Sequence, residues 1–429
     1  MTIVHASLGD ADAHQPGAPT KAVGIPFIAG FALANLGFFI AVMTPIAITL
    51  AIRVSAIDPV GKGASLGAIL GSGALFALFA NPIFGQLSDR TRARFGRRRP
   101  WLIGGVIVGS LAQLVIAYSS SLLMIGIAWC AVQVAYNAML AALVAVVPDQ
   151  VPEQQRGMIS ALAGMSVYVA LLIGSAVVSL TGTGSNAMFL VPTAIGLVTI
   201  IGFALLLDDR PTDNEPAPAG NLLGELAASF WVNPVKYRDF GYAWLSRFLV
   251  FFGFAVLTSY QVYYLTDQLG VAEAGIGQTM FFSILITTCC VVASSIISGY
   301  LSDRTGRRKP FVFAAAATYA LGIAVIMMAP DLNMFFVGVA ISSLGFGVYY
   351  AVDQALVVDI LPDRETNAAK NLGVLNIANA VPQSIAPAIA PIVLAIGSGH
   401  GQNYSLLYAL AAVSAFLGAL AIVPVRGAR

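Results

Sequence analysis

The sequence predicts an all-α integral membrane protein in which twelve transmembrane helices form two pseudo-symmetric six-helix bundles. Three observations predict this class: the composition, the recurrence of long apolar runs, and an internal repeat. Of the 429 residues, 58% are hydrophobic and only 10% are charged, and the mean hydropathy is +0.84. A soluble domain carries roughly 25% charged residues, and a disordered chain combines low hydrophobicity with high net charge. Both of these classes are therefore excluded.

The apolar runs have the length that a membrane-spanning helix needs. Each is near the roughly 20 residues required to cross the hydrocarbon layer. The predicted spans lie near residues 27–54, 64–87, 101–118, 121–147, 157–180, 188–207, 240–265, 276–300, 311–329, 333–358, 371–396 and 404–425.

The positions of Lys and Arg predict the orientation of these spans. If both termini lie on one side, 19 of the 22 Lys and Arg residues lie on that side, and only Arg53, Lys62 and Arg247 lie elsewhere. Positive charge concentrates on the cytoplasmic side of membrane proteins. We therefore expect a multi-pass protein of the cell (plasma or inner) membrane with both termini in the cytoplasm. The N-terminal stretch has no basic segment followed by a short apolar core, so we expect no cleaved signal peptide.

A polar, proline-containing stretch separates the sixth predicted span from the seventh. Residues 208–239 open with Asp208, Asp209, Arg210 and Pro211 and then carry apolar residues at helical spacing, which predicts a linker with a short amphipathic helix. The predicted divisions are a cytoplasmic tail at 1–26, a six-helix bundle at 27–207, the linker at 208–239, a second bundle at 240–425 and a tail at 426–429.

The two predicted bundles share sequence. An offset of 214 residues relates three anchors: Gly85–Thr91 to Gly299–Thr305, Tyr136 to Tyr350, and residues 148–149 to 362–363. Anchors at one spacing predict a duplication in which both halves have the same orientation.

The loops after the second and eighth spans carry a family resemblance. Each has the pattern Gly-x-Leu-x-Asp-Arg, at Gly85–Arg90 and at Gly299–Arg304, followed by a Gly-Arg-Arg cluster. This pattern resembles the signature loop of the major facilitator superfamily. More narrowly, Ser88-Asp89-Arg90 with residues 94–100 is similar to sucrose carriers and the wider glycoside–pentoside–hexuronide branch. The resemblance implies a secondary transporter that works by alternating access, and not an enzyme.

We expect these loops to contribute to gating. Gly85 and Gly299 lack a Cβ and permit close helix approach, while Asp89 and Asp303 can accept hydrogen bonds from a neighbouring helix N-terminus. The arginines can pair with carboxylates at other cytoplasmic helix ends and hold the inner side closed. The alternative is that they only enforce topology and bind anionic head groups. The predicted gating residues are Gly85, Asp89, Arg90, Gly96, Arg97, Arg98, Gly299, Asp303, Arg304, Gly306, Arg307, Arg308 and Asp359.

One acidic residue, Asp353, lies well inside a predicted span. A carboxylate in the membrane is costly, and it is therefore a functional candidate by default. We predict that Asp353 couples transport to protons. The alternative is a structural pair with Arg247 or with the loop that carries Arg307 and Arg308.

Uncharged amides and tyrosines recur in several spans and predict a binding site. Amides donate and accept hydrogen bonds and aromatic rings stack on C–H faces, which suits a neutral polyhydroxylated ligand. Interhelical hydrogen bonding is the alternative role of such residues. The predicted substrate-binding residues are Asn35, Gln133, Asn137, Tyr260, Gln261, Tyr264, Tyr349, Gln354, Asn376, Asn379 and Gln383.

Together these features predict a carrier of a sugar or glycoside, with proton symport as the expected coupling. The second span offers Asn81 and no acid, and the fourth span offers amides and no charged residue. Related branches carry charged residues in these spans, so the sequence also allows uniport without a coupled cation. A proton-driven exporter of drugs or metabolites is the alternative, although the Gly-Pro-x-x-Gly-Gly stretch of such exporters is missing from the fifth span.

Enzyme and nucleic-acid-binding classes are not indicated. The sequence has no HExxH or GxSxG motif, its three histidines are peripheral, and its formal net charge is only +2. We expect no cofactor, no bound metal and no nucleic-acid partner. The expected partners are a small-molecule substrate, protons and the lipid bilayer, with the protein working as a monomer.

Overall fold

A computed structural model describes residues 22–209, 237–360, 364–397 and 402–425 of the chain. The predicted amphipathic part of the linker, most of the N-terminal tail and the C-terminal tail lie outside the described residues.

Twelve helices in these ranges are long and apolar enough to cross a membrane, which confirms the predicted class. They are α1 (Ile25–Ile57), α2 (Lys62–Arg90), α3 (Arg99–Tyr118), α4 (Leu122–Gln150), α5 (Glu153–Thr181), α6 (Ala187–Leu206), α7 (Arg238–Gln268), α8 (Glu273–Thr305), α9 (Arg308–Met327), α10 (Leu332–Asp359), α11 (Arg364–Ala395) and α12 (Tyr404–Ala421).

Short connections inside each half depend on side-chain caps. The Ser121 hydroxyl accepts a hydrogen bond from the Met124 backbone N–H at the start of α4. Asp331 accepts one from the Met334 N–H, at 2.9 Å, at the equivalent start of α10. Such caps satisfy backbone donors that the first helical turn leaves unpaired. The same device therefore separates α3 from α4 and α9 from α10.

Helices α1 and α7 occupy equivalent places in the two halves, and each contains one π-helical segment. These are Pro45–Thr49 in α1 and Tyr264–Gln268 at the end of α7. Proline has no N–H to donate inside a helix, and a π segment is a recognised site of helix bending. Helix α1 continues beyond its π segment as Leu50–Ile57, whereas α7 ends with its π segment at Gln268.

The helices pack as two groups that meet along two seams. Within the groups, α1 packs against α5 and α6, and α7 packs against α11 and α12. Between the groups, α2 packs against α11 and α5 packs against α8. Large apolar side chains such as Leu180, Val198 and Ile296 are exposed on the outside of the bundle. This outer surface suits contact with lipid tails.

The helix bounds correct the register of the predicted repeat. Helices α3 and α9 begin at residues 99 and 308, which are 209 apart, and α4 and α10 begin at 122 and 332, which are 210 apart. The offset of 214 therefore places Tyr136 and Tyr350 about one helical turn out of register. The reason is that the connection between α2 and α3 spans residues 91–98, whereas only residues 306–307 separate α8 from α9.

Candidate functional site

A cavity of about 560 Å³ lies between the two halves, bounded by α1, α2, α4 and α11. Its polar lining consists of amide side chains: Asn81, Gln86, Gln133, Asn137, Asn379 and Gln383. The rest of the lining is apolar and includes the rings of Phe38 and Phe39. None of the described residues that line this cavity is charged. The cavity can therefore offer hydrogen bonds and ring faces to a ligand, but its described lining offers no charged side chain that would favour a charged ligand.

Four of the predicted binding residues do line the cavity together. Gln133 and Asn137 lie four residues apart on α4, and Asn379 and Gln383 lie four apart on α11. Asn137 donates from its amide nitrogen to the Gln133 backbone carbonyl at 2.8 Å, and Gln383 donates to the Asn379 carbonyl at 3.1 Å. Helical spacing places each pair on one face. The two helices thus bring amides to the cavity from both halves.

Two further amides line the cavity and were missed by the sequence prediction. Asn81 and Gln86 both belong to α2. The available signal was an uncharged amide within an apolar span, where a polar group needs a partner or a water-filled space. No comparable signal singled out Phe38 or Phe39 among the other aromatic residues of the spans.

Three predicted binding residues are engaged in helix packing instead. Asn35 is buried and donates to the Phe31 carbonyl of its own helix at 2.9 Å. Tyr264 donates its hydroxyl to the Ile326 carbonyl, and the Tyr349 hydroxyl lies 3.2 Å from that of Ser246. Each polar group is paired inside one half, and none of the three lines the cavity. Their role in substrate binding stays a prediction.

The remaining predicted binding residues are separated from one another. Gln354 is exposed and does not line the cavity. Gln261 donates to the Ser283 hydroxyl at 2.6 Å and borders a much smaller space of about 70 Å³. The side chain of Asn376 lies outside the described residues.

The ends of the bundle differ in how the halves meet. We call the end with the 91–98 connection and the 306–307 connection the arginine end, and the other the opposite end. At the opposite end, Tyr260 donates its hydroxyl to the Gly63 carbonyl at 3.1 Å, and Tyr263 donates to the Ala51 carbonyl at 3.0 Å. Both bonds cross from the second half to the first. Tyr260, predicted to bind substrate, therefore closes the opposite end.

Close backbone packing supports this closure. A Cβ added at Gly67 of α2 would collide with the Pro387 carbonyl of α11 and lie 2.8 Å from the Tyr260 hydroxyl. The lack of a side chain at Gly67 therefore lets α2 and α11 touch between the cavity and the opposite end. The cavity residues lie on the other side of this contact, toward the arginine end.

A charged cluster organises the arginine end of the first half. The Arg98 guanidinium, only 5% exposed, pairs with Asp89 at 2.6 Å and with Asp149 at 2.8 Å and donates to the Ser88 hydroxyl. Burial lowers the pKa of Arg98, but the hydrogen bond to Asp149 and the charges of both carboxylates raise it overall. Arg97 also pairs with Asp149. The cluster joins the ends of α2, α3 and α4.

The carboxylate at the N-terminus of α3 is not the predicted one. Asp209, three residues beyond the end of α6, accepts the backbone N–H groups of Arg98 and Arg99, each at 2.7 Å. Gly96 has a φ of +100°, and a Cβ there would collide with the Asp209 carboxylate. Asp89, predicted for this position, pairs with the Arg98 side chain instead. Asp209 was missed because its neighbours in sequence indicated only a linker.

The arginine end of the second half is looser. Asp303 is 73% exposed and lies 3.8 Å from Arg308, which also donates to the Ala355 carbonyl. Arg304 and Arg307 are exposed, and Gly306 has a φ of +60° where it ends α8. Arg90 lies in the last turn of α2, where a cation is favourable. The side chain of Asp359 lies outside the described residues.

The two motif glycines do not sit at close helix contacts in this conformation. A Cβ at Gly85 would have Ala141 as its nearest neighbour, at 3.9 Å, and a Cβ at Gly299 would meet nothing within 4 Å. The expected close approach is therefore absent at both positions, because no neighbouring helix comes near enough at this level of the arginine end.

Asp353 forms a buried ion pair with Arg247. The Arg247 Nε lies 2.6 Å from the carboxylate, and the two side chains are 2% and 1% exposed for Arg247 and Asp353. One oxygen of Asp353 and one terminal nitrogen of Arg247 have no partner among the described residues. Of the two alternative partners considered from the sequence, the structure places Arg247 at the carboxylate. The pair connects α7 to α10 and does not line the cavity.

Residues 25–289 and 243–428 each match the family model of the Major Facilitator Superfamily. These matches cover most of the chain, and the chain therefore belongs to the Major Facilitator Superfamily. The superfamily resemblance of the two signature loops is confirmed. Its members are membrane transporters and not enzymes.

Curated relatives match only parts of the chain. It is 51% identical over 51 residues to an uncharacterized symporter of Synechocystis sp., which covers 12% of this chain and 9% of that protein. It is 24% identical over 196 residues to a Na⁺, Li⁺, K⁺/H⁺ antiporter of Planococcus maritimus, covering 44% and 42%. It is 36% identical over 50 residues to a sucrose transport protein of Arabidopsis thaliana, covering 12% and 10%. The chain spans less than half the length of each of these relatives.

Solved structures match the whole fold. The nucleoside transporter NupG superposes with a TM-score of 0.73 at 13% identity, covering 94% of this chain and 99% of that one. A D-xylose–proton symporter superposes with a TM-score of 0.67 at 14% identity, covering 93% and 98%. At these identities the likeness establishes the fold alone.

Replacing Arg98 by Ala is expected to destabilise the first half, because it removes the buried guanidinium that joins the partly exposed carboxylates of Asp89 and Asp149. We expect a loss of about 2 kcal/mol, which lowers the apparent melting temperature by roughly 4–8 °C. Arg94→Ala removes the same charge from an exposed position in the same connection and should shift melting by no more than about 2 °C. Melting curves of the purified variants in detergent provide the measurement. Equal shifts in the two variants would contradict the role of the cluster.

Proposed function

We propose that the protein carries an uncharged polyhydroxylated solute, of the sugar or glycoside class, across the cell membrane by alternating access. The observation that carries this proposal is the cavity between the halves, lined by amides from α2, α4 and α11 and, among the described residues, by no charged side chain. Amide groups match hydroxyl groups as both donors and acceptors. A site built to hydrogen-bond such a solute discriminates strongly against apolar analogues.

The charge distribution supports an orientation with the arginine end in the cytoplasm. The closed opposite end then faces the outside, and the cavity belongs to a state in which the inner side is accessible. One chain contains both halves of the cavity, so a monomer is sufficient for transport. We also propose that the moving bodies are the predicted bundles, residues 27–207 and 240–425, joined through the linker.

The predicted gating residues have different surroundings in the two halves: several of the first half hold one body together, and several of the second half are exposed. Arg98, Asp89 and Asp149 hold the arginine ends of α2, α3 and α4 together as one body. We propose that this body closes against the arginine end of the second half when the opposite end opens. The exposed carboxylate of Asp303 and the exposed arginines nearby remain available for contacts formed in that state.

Proteoliposomes that contain the purified chain test the substrate class directly. We expect uptake from a panel of labelled mono- and disaccharides that includes sucrose, with accumulation driven by an imposed inward proton gradient and abolished by an uncoupler. Protein-free liposomes give the background. Extrusion of a cationic dye without uptake of any sugar would contradict the proposal and favour a proton-driven exporter.

Asn137→Ala is expected to weaken transport of any sugar identified in that panel. The side chain lines the cavity, and losing its hydrogen bonds to a ligand costs about 1–3 kcal/mol, or roughly a 5- to 150-fold rise in the half-saturation concentration. Asn35→Ala is the matched control, because Asn35 is buried and does not line the cavity. The half-saturation concentration of that variant should stay within about twofold of the parent. An equal rise in both variants would place the binding site elsewhere.

We propose that Asp353 couples transport to protons through its pair with Arg247. Protonation of the carboxylate would release the guanidinium and change the contact between α7 and α10. Burial of both side chains supports a switch of this kind, because a charge in such a place depends on its partner.

Asp353→Asn separates coupling from a purely structural role. We expect the variant to retain exchange of labelled for unlabelled sugar, which needs no net proton movement, and to lose accumulation driven by a proton gradient. Under the structural alternative, Asp353→Asn lowers exchange and membrane abundance together. In that case Asp353→Asn combined with Arg247→Gln would restore both, because it removes the unpaired charge.

A further inference from the structure

We propose that the ion pair between Lys62 and Asp267 is the electrostatic latch of the opposite end, which holds this end closed and sets how often it opens. The Lys62 Nζ lies 2.6 Å from an Asp267 carboxylate oxygen. Lys62 begins α2 in the first half, and Asp267 lies in the final turn of α7 in the second half. The inference goes beyond the proposed function, because it requires no particular substrate and no proton coupling.

Both charges are unfavourable for the helices that carry them. Backbone dipoles give a helix a positive N-terminus and a negative C-terminus, so a cation at the first position and an anion in the last turn are each disfavoured. Lys62 occupies the first position of α2, and Asp267 occupies the last turn of α7. Neither residue therefore improves the stability of its own helix. Their favourable charge–charge interaction is with each other, across the boundary between the halves.

The pair is more strongly held than an ordinary surface ion pair. The side chains of Lys62 and Asp267 are only 12% and 29% exposed. The Tyr404 hydroxyl donates to the second Asp267 oxygen at 2.7 Å, and the Lys62 ammonium lies 5.0 Å from the centre of the Tyr263 ring. A cation over an aromatic face gains further stabilisation. Tyr404 belongs to the same half as Asp267 and orients its carboxylate, whereas the contact of Lys62 with the Tyr263 ring is a second contact between the halves.

The latch belongs to the same closure as the hydrogen bonds across the halves. Tyr263, which faces the Lys62 ammonium, donates to the Ala51 carbonyl in the first half. One helical turn earlier, Tyr260 donates to the Gly63 carbonyl, next to Lys62. Opening the opposite end must separate Lys62 from Asp267 and break these bonds. The ion pair therefore stabilises the closed state and is lost in the open state.

The rate at which a cysteine behind the latch reacts with an impermeant maleimide measures opening. Ser384→Cys suits this purpose, because Ser384 is 3% exposed on α11 and its backbone carbonyl packs against Gly71 of α2. Its background replaces the three native cysteines, at 130, 289 and 290, by alanine. The reagent is added outside right-side-out vesicles that hold the full chain. Because labelling requires an open state, the rate follows even a small open population.

Lys62→Met is expected to raise the labelling rate about threefold or more, as the ion pair no longer opposes opening. Arg53→Met is the matched control, because Arg53 lies near the same end but donates to the Ser119 carbonyl within its own half. Its rate should equal that of the parent. Lys62→Glu combined with Asp267→Lys restores an ion pair with charges that now suit both helix ends, and it should return the rate to the parent value or below.

A rate in Lys62→Met that matches the parent would overturn the latch. So would a double variant that stays as fast as Lys62→Met while melting like the parent in detergent. Val60→Cys reports on the assay itself, because Val60 is 91% exposed at the same end. It should label in every variant. Failure of Val60→Cys to label from outside would contradict the proposed orientation. This outcome is distinct from failure of the latch. The same series of variants, with the reagent added on the other side of the membrane, would then test the latch.

Discussion

The cost of an unpartnered polar group in hydrocarbon is the constraint on which this structure depends. Each polar side chain inside a span must bond to another protein group or face a water-filled space. Asn35 takes the first course by bonding to its own helix, and Arg247 takes it by pairing with Asp353. Gln133 and Asn379 take the second course and line the cavity. The same rule therefore accounts for the polar contacts that hold the helices together and for the polar lining of the cavity.

The two ends of the bundle use charge differently. At the opposite end, the pair of Lys62 and Asp267 joins one half to the other. At the arginine end of the first half, Arg98 joins helices of the same half. Contacts of the first kind must break when the halves move, whereas contacts of the second kind persist and make one half rigid. Alternating access requires both, since stiff bodies move only where the contacts between them can be exchanged.

Helical spacing predicted the cavity-lining amides of α4 and α11, but it did not predict which residues close the ends of the bundle. The four-residue spacing of Gln133 with Asn137 was enough to place both on one face, because that spacing is a property of a single helix. Tyr260 had equally strong polar character, yet it closes the opposite end. Its role depends on how far α7 extends beyond the cavity and on which carbonyl it meets. Asp209 was missed because its partners lie more than a hundred residues earlier in the chain.

The sequence by itself determined the twelve spans, their predicted orientation and the duplicated signature loops. Hydropathy and charge bias are local properties of the chain. The fixed thickness of the hydrocarbon layer and the preference of Lys and Arg for the cytoplasmic side relate them directly to the number and direction of the spans. Only the tertiary structure decided which face of each helix lines the cavity, which carboxylate meets which arginine, and which end is closed. Those outcomes follow from the rotation and depth of each helix against its neighbours. Packing between helices distant in sequence sets both, so no local pattern contains them.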